Sequence, residues 1–491
     1  MDIQKGIFPS TFLFFLGLFS LSLLLHFPFL NKDLIGVHVW RQTQTQTGID
    51  NFCQEGNSIL NPTLNSNPET DRIVRLEFPL MQWGFAQVEK HFSNPVLITR
   101  LLSFLISLIS AFAMFLLAKQ LGLNQWLSYF SAWLFTFSPL IFYYAINPLP
   151  DNLALCTGIL GIAIFFLAIR KDSTLLLLLS SLFFGLSVLI KLPYIINLSL
   201  PFLVILNKWF SKAYSLKKAF TTGVCMILFQ VFPLTWYSWV IPQWGNSGVV
   251  EGILAADKSL PFYLRVMQDI LISTLPELII NYAALPLFIA GLIRITRHWK
   301  VISHTYLPFV GWGLTLIAFF IYDSPIIANV HDYYLFPFVP ALVLISLAGI
   351  NQVWKLKKNW IPYLIGLCLV CMPLTAYLRV VSRFNEKSPG FNRLILENKN
   401  ELRSLGNNND RWIVGSDWTG VIYLYYTQRK GWTYENNLDS NRLKHYLMNN
   451  AKYLLTDNSL DTASQIKPFL GRLVWSKEQL KVYELHPQAG K

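Results

Sequence analysis

Residues 96–118 read VLITRLLSFLISLISAFAMFLLA, a run of apolar side chains long enough to cross the hydrocarbon core of a bilayer as one helix, for which about 20 residues suffice. Working outward, runs of the same character fall at 11–30 upstream and at 126–145, 152–169, 175–191, 195–206, 221–240, 275–293, 303–322, 336–350 and 360–380 downstream. In lipid, each must satisfy its backbone hydrogen bonds internally, so the pattern predicts about eleven transmembrane helices, with Pro139, Pro193, Pro233 and Pro337 as kinks or ends.

Composition agrees. The 491 residues are 53% hydrophobic and only 14% charged, with a mean hydropathy of +0.41. The 37 Phe, 21 Tyr and 16 Trp suit the two interfaces of a membrane better than a soluble surface. A net charge of +13 would suit nucleic acid only on a basic face of a soluble domain. Here the bases lie between apolar runs, which excludes that class of partner. The five cysteines, Cys53, Cys156, Cys225, Cys368 and Cys371, form no disulfide framework or metal-ligand spacing. The first run follows Lys5 and precedes no small-residue cleavage site, and so reads as an uncleaved anchor.

Loop charge sets the expected orientation, because Lys and Arg accumulate on the cytoplasmic side. With the N-terminus inside, the inside loops carry Lys119, Arg170, Lys171, Lys208, Lys212, Lys217, Lys218, Arg294, Arg297, Lys300, Lys355, Lys357 and Lys358. The opposite loops include the acidic segment 31–95 and the mixed segment 241–272. This reading gives a multi-pass plasma (inner) membrane protein with a cytoplasmic N-terminus.

From about residue 382 the chain turns polar and Asn-rich. RWIVGSD, AKYLLTD and GRLVWSKEQLKVYEL read as strands and SNRLKHYLMNN as a helix, which predicts a small extracytoplasmic α/β domain over 382–491 behind a membrane domain over 1–381. It carries no nucleophile motif, and is expected to cover the membrane domain or to bind the acceptor.

Five places stand out chemically. The long first external loop, about 65 residues, is uncommon unless functional. Its stretch GVHVWRQTQTQTGIDNF sets His38, Arg41 and Gln42 near the end of a span, where Arg41 is either a fork suited to phosphate or, with Trp40, an interface anchor. Glu77 in LEFPL sits on a turn shaped by Pro79, as a general base, a metal ligand or a helix N-terminal charge. Asp151 in NPLPDNLAL is either a helix-capping carboxylate or an acid at the mouth of a span. Lys191 in SVLIKLPY runs against the positive-inside bias, and either holds a lipid phosphate or snorkels to the outer surface. NVHDYYLFPFVP places His331, Asp332, Tyr333 and Tyr334 at the end of another span, as an aromatic belt or as part of a site. All five fall on the outer side of the expected topology.

The order of these elements resembles the GT-C superfamily of membrane glycosyltransferases, in particular bacterial relatives of protein O-mannosyltransferases and of the lipid A aminoarabinose transferase. HVWRQTQT, EFPL, IKLP, HDYY and YYTQRKGW carry the likeness. The resemblance implies that Arg41 and Lys191 hold the lipid phosphate, that Glu77 lies beside a bound divalent cation, and that Asp151 is the acidic position of the next external loop. One departure stands out: where the superfamily usually has an acidic residue, three positions before the matching arginine, this chain has His38. The base is then His38 itself, Asp33 from upstream, Glu77 or Asp151.

The expected activity is glycosyl transfer from a polyprenyl-phosphate sugar to an acceptor hydroxyl, with inversion, the acceptor being a lipid, a glycan or a protein. The competing expectation, a non-enzymatic lipid or solute transporter, rests on the number of spans alone. Transporters tend to show internal repeats and polar groups at the bilayer midplane, and neither is evident here.

Overall fold

The computed structural model describes residues 10–244, 259–301, 306–329, 331–457, 460 and 463–486. The chain divides into two compact units that interleave along the sequence. One comprises Met1–Asn31, Leu76–Met81 and Leu97–Ser382; the other comprises Lys32–Arg75, Gln82–Val96 and Arg383–Lys491. The second unit therefore draws on most of the first loop as well as on the C-terminal segment.

The described residues of the first unit form helices and the turns that join them. Among the described residues, eight helices are long and apolar enough to cross a membrane, and nine if the bent pair Leu260–Ile280 and Leu285–Arg297 counts as one span. The two remaining apolar runs of the sequence fall on shorter helices. One is Thr174–Ile190, of 17 residues; the other run, 126–145, divides into Gln125–Thr136 and Pro139–Tyr144 with Pro139 opening the second piece. Part of the mixed segment 241–272 and the start of the 303–322 run lie outside the described residues.

Without a hydrophobic drive between helices in lipid, small residues and hydroxyls do the packing. Helices Pro150–Lys171 and Thr174–Ile190 meet through Ser180, whose Oγ donates to the Gly161 carbonyl at 2.8 Å, and through Ser187, whose Oγ donates to the Ala154 carbonyl at 2.6 Å. Helices Leu285–Arg297 and Val339–Trp354 approach so closely that a Cβ on Gly349 would stand 1.8 Å from the Leu287 carbonyl oxygen, so only glycine fits.

Where helices break, side chains repair the backbone. The bent pair turns by 115° at Asn281, whose φ is 83°. Its Nδ2 donates to the carbonyls of Phe137 (2.9 Å) and Met372 (3.0 Å), while its Oδ1 accepts from the Ala283 amide (2.9 Å) and the Thr375 hydroxyl (2.7 Å). Ser138 Oγ adds a bond to the Ile279 carbonyl at 2.6 Å.

The second unit holds a five-stranded sheet: β1 (Arg411–Gly415), β2 (Gly431–Tyr434), β3 (Ala451–Thr456), β4 (Leu470–Lys477) and β5 (Leu480–Leu485), in the order β2-β1-β3-β5-β4. β1 lies parallel to β2 and β3, which requires crossovers; helices Ile422–Thr427 and Ser440–Met448 supply them. β5 pairs antiparallel with β3 and β4. The four strands expected from sequence, the last two being the pair within GRLVWSKEQLKVYEL, and the expected helix are present, while β2 and the Ile422–Thr427 helix are additional. Alternate residues of β1 face two apolar clusters. Trp412 and Val414 join Ile35, Val39 and the Ile422–Thr427 helix on one face; Ile413 joins Trp432, Leu443 and Leu454 on the other.

The first loop is fastened to this sheet. The Gly431 amide donates to the Asn65 carbonyl and the Asn67 amide to the Gly431 carbonyl, extending the sheet past β2. Trp432 Nε1 donates to Glu69 at 2.6 Å. Glu55 accepts from Arg72 Nη2 at 2.7 and 2.8 Å and pairs with Lys430 at 2.8 Å. Burial raises its pKa, but the bonds from Lys430 and Arg72 outweigh this and bring it down to about 2. A Cβ on Gly431 would lie 1.8 Å from the Trp412 carbonyl oxygen.

Within the same unit Gln46 Nε2 bridges two carboxyls, Asp50 Oδ1 at 2.7 Å and Glu89 Oε2 at 3.0 Å. Burial, then the Asp50 charge, push Glu89 up to about 8, and the two carboxyls hydrogen-bond each other around one proton.

Two outcomes are expected. Asn281→Ala removes the bonds to the Phe137 and Met372 carbonyls of neighbouring segments and to the Ala283 amide of the bend, and lowers stability by roughly 3 kcal/mol, read as a drop in the thermal midpoint of the purified protein in detergent. A carboxyl raised in the folded state gives stability that is fully present below the ordinary glutamate range and is lost as pH rises toward 8. Thermal melts from pH 5 to 8.5 should therefore fall steadily in the wild type and lose most of that slope in Glu89→Gln.

Candidate active site

Asp151 is delivered by a break between helices. Helix Pro139–Tyr144 ends, Leu149 is held extended (φ −132°, ψ 132°) as the residue before a proline must be, and Pro150 opens the helix Pro150–Lys171 with Asp151 next in its first turn. The intervening turn is clamped by polar side chains. Arg100 Nη1 donates to Asn147 Oδ1 at 2.8 Å and to the Ile146 carbonyl at 3.3 Å; Asn147 Nδ2 donates to the Tyr143 carbonyl at 2.8 Å; Asn152 Nδ2 donates to the carbonyls of Tyr144 (2.8 Å) and Asn147 (3.1 Å). Asp151 is 2% exposed, and the N-cap position belongs to Leu149, which makes no side-chain cap bond. The carboxylate is thus in the favourable first turn without being the cap.

Lys191 ends the helix Thr174–Ile190 in an extended conformation, its amide on the Ser187 carbonyl at 3.0 Å. The side chain turns inward instead of snorkelling. It is 9% exposed, with Nζ 3.8 Å from Asp151 Oδ2 and 5.2 Å from the centre of the Tyr334 ring. Tyr194, one helical turn on, donates its hydroxyl to the Asp151 carbonyl at 3.2 Å.

The segment carrying Glu77 is pinned beside Lys191 through backbone groups. The Phe78 amide donates to the Leu189 carbonyl at 3.3 Å, and Trp236 Nε1 donates to the Leu76 carbonyl at 3.2 Å, with the Phe78 and Trp236 rings edge to face at 5.0 Å. Tyr237 then stitches the break before Lys191: its hydroxyl donates to the Leu189 carbonyl and accepts from the Leu192 amide, both at 3.2 Å. Glu77, Asp151 and Tyr334 all lie close enough to act electrostatically on that hydroxyl.

His331 occupies a fourth break, between helix Leu307–Asn329 and the 3-10 helix Asp332–Phe338. Its ring stacks on those of Tyr333 and Tyr334, each at 5.1 Å. Asp332 Oδ1 accepts from the Tyr144 hydroxyl at 2.5 Å, and Tyr144 meets Tyr333 edge to face at 5.8 Å.

The first unit therefore gathers Glu77, Asp151, Lys191, His331, Asp332 and Tyr334. The other sequence candidates fall in the second unit. His38 precedes helix Val39–Glu55 with a left-handed backbone (φ 55°), uncommon outside glycine. Arg41 is 5% exposed and donates to Gln44, and Gln42 donates to the Val37 carbonyl at 2.9 Å. Asp33 pairs with Lys399 at 2.5 Å. Arg100, Asn147, Asn152, Tyr144, Tyr194 and Tyr237 were not singled out in the sequence. Their signal was there in part, since a buried arginine within an apolar span and two asparagines bracketing a Pro-Leu-Pro are costly unless they hold something.

No group of three His, Cys, Asp or Glu side chains among the described residues is disposed to hold a metal ion. The cation attached to Glu77 in the sequence reading has no ready-made set of protein ligands there.

Residues 77–237 match the family described as dolichyl-phosphate-mannose-protein mannosyltransferase, a span that contains Glu77, Asp151 and Lys191. The structure is similar to ArnT from Cupriavidus metallidurans bound to undecaprenyl phosphate, with a TM-score of 0.67 and 12% identity over 96% of this chain and 99% of that one. It is similar to the archaeal oligosaccharyltransferase AglB from Archaeoglobus fulgidus in complex with an inhibitory peptide and a dolichol-phosphate, with a TM-score of 0.57 and 10% identity over 92% and 69% of the two chains. Another AglB structure is a complex with Zn and sulfate. A third similar protein is the arabinofuranosyltransferase AftD from Mycobacteria, with a TM-score of 0.54 and 13% identity, of which this chain spans 42%. No curated protein sequence is significantly similar. The GT-C resemblance of the sequence thus extends to the fold, whose neighbours include an oligosaccharyltransferase and an arabinofuranosyltransferase.

A double-mutant cycle checks the central pair. Asp151→Asn and Lys191→Met each remove one member of a buried ion pair and should lower the thermal midpoint, while the double variant loses less than the sum, with a coupling of about 1–3 kcal/mol.

Proposed function

We propose that this protein transfers a sugar from a polyprenyl-phosphate carrier to an acceptor hydroxyl at the extracytoplasmic face of the plasma membrane. The observation that carries this reading is one buried ammonium, Lys191, set among carboxylates and tyrosines at helix breaks within a GT-C-like fold. The basic loops support a cytoplasmic N-terminus. The structural neighbours bound to undecaprenyl phosphate and dolichol-phosphate support the choice of carrier.

In the reaction the acceptor oxygen attacks the anomeric carbon. Its proton passes to Glu77 or Asp151, with His38 of the second unit as the alternative base, and the bond from anomeric carbon to phosphate oxygen breaks with its electron pair leaving on the polyprenyl phosphate. Attack opposite the leaving group inverts the anomeric centre. Lys191 is placed to meet the charge that grows on the leaving phosphate, and Arg41 is a second donor suited to it. The inward turn of Lys191 has an energetic logic. A point charge buried at 9% exposure interacts with a phosphate far more strongly than one in water. The Asp151 carboxylate at 3.8 Å and the face of the Tyr334 ring at 5.2 Å compensate its burial until the phosphate arrives. An apolar groove between spans would take the prenyl chain, which is a reason for such chemistry to live on a membrane fold. A divalent cation, if used, would meet Glu77 and supply further charge neutralisation.

The test is turnover by the purified protein in nanodiscs with a series of polyprenyl-phosphate sugars, read as release of free polyprenyl phosphate. Lys191→Ala is expected to lose about 100-fold or more in kcat, and one of Glu77→Ala, Asp151→Ala and His38→Ala to abolish turnover and so identify the base. Turnover that survives in the Arg41→Ala, Lys191→Ala double variant, or no release from any donor by folded wild type, would falsify the assignment.

A further inference from the structure

Asp323 was singled out neither by the motifs nor by the mechanism, yet it is 3% exposed in the helix Leu307–Asn329. Its Oδ2 is buried and has no hydrogen-bond partner. Besides its burial, the carboxyl lies within electrostatic reach of the Lys191 ammonium. The helix that carries it packs against both segments that frame the lysine, Leu192–Leu198 and Asp332–Phe338. Local sequence explains how the residue is held. Pro325 removes the amide that would bond the Ile321 carbonyl, and Ser324 Oγ takes that carbonyl instead at 3.0 Å, so the YDSP turn stays ordered although the helical ladder is interrupted.

A buried carboxylate oxygen without a partner costs free energy unless something donates to it. A phosphate is not that partner, because like charges repel. A hydroxyl is, and carboxylates accept hydroxyl hydrogen bonds strongly. Resting on the reading above, in which Lys191 meets the phosphate bonded to the anomeric carbon, a carboxyl within electrostatic reach of Lys191 is also within reach of the sugar that the phosphate carries. We propose that Asp323 is a sugar-recognition residue, accepting a hydrogen bond from a hydroxyl of the transferred sugar and thereby helping to set which donor is used.

Microscale binding to the full chain in nanodiscs separates the sugar from the phosphate. The probes are undecaprenyl phosphate and a panel of its hexosyl and pentosyl esters. In the wild type at least one ester is expected to bind about tenfold or more tighter than the bare phosphate, the scale of a hydrogen bond to a charged group. Asp323→Asn, which keeps the volume, should erase that increment and leave the affinity for bare undecaprenyl phosphate unchanged; Lys191→Ala should weaken the bare phosphate and the esters alike. The unchanged bare-phosphate affinity also reports that the Asp323→Asn variant is folded. Three results overturn the proposal: no sugar increment in the wild type, an increment that survives in Asp323→Asn, or a loss of bare-phosphate affinity in that variant, which would make Asp323 a support for Lys191 instead. Failure of bare undecaprenyl phosphate to bind the wild type at all defeats the carrier reading itself, and this proposal with it.

Discussion

A polypeptide in hydrocarbon has no water to complete its backbone hydrogen bonds, and the architecture of the first unit follows from that constraint. Uninterrupted helices satisfy it automatically and carry little but apolar side chains. Every break must be repaired by side chains, and the breaks are where polar groups collect. Asn281 repairs one bend with four bonds. Arg100, Asn147 and Asn152 repair the turn before Asp151, and Tyr237 repairs the end of the helix before Lys191. The candidate chemistry sits at these breaks, where polar side chains and freed backbone groups satisfy one another.

The electrostatics of the cluster are lopsided. A single buried ammonium faces several carboxyls, and its distance of 3.8 Å from Asp151 is longer than a charge-assisted hydrogen bond. A tight buried ion pair would bring two charges out of water for mutual satisfaction alone. A looser one, with an aromatic face at 5.2 Å, compensates the burial of the lysine without locking it into one tight pair, which in the function proposed above lets it turn toward the leaving phosphate.

The second unit shows how sequence-distant segments become one body. The motif YYTQRKGW runs along the seam. Tyr426 donates to the Leu34 carbonyl, Arg429 donates to the carbonyls of Arg403 and Leu405, Lys430 pairs with Glu55, and Gly431 exchanges backbone bonds with the 65–67 segment. A motif that reads as part of a family signature thus has a structural task here. It holds a long polar loop against the sheet, so that loop and C-terminal segment share one core.

Sequence alone determined the class of the protein. Among the described residues, hydropathy located the apolar runs that became helical segments, since the cost of burying a polar residue in lipid makes such runs stand out. It also found β1, β3, β4 and β5 from their β-branched and aromatic content, and it named Glu77, Asp151, Lys191 and the His331–Tyr334 stretch as polar groups in costly places. What only the tertiary structure decided was which of these meet. Lys191 was equally consistent with snorkelling, and its inward turn depends on Asp151 and Tyr334 arriving from helices far along the chain. β2, four residues long, is too short to signal itself and exists because β1 lies beside it. Tyr237 sits inside a run apolar enough to pass as ordinary span, and Asp323 stands directly after another. Their roles come from neighbours that no local pattern encodes, because a side chain's environment is set by contacts between segments whose separation in sequence carries no periodicity.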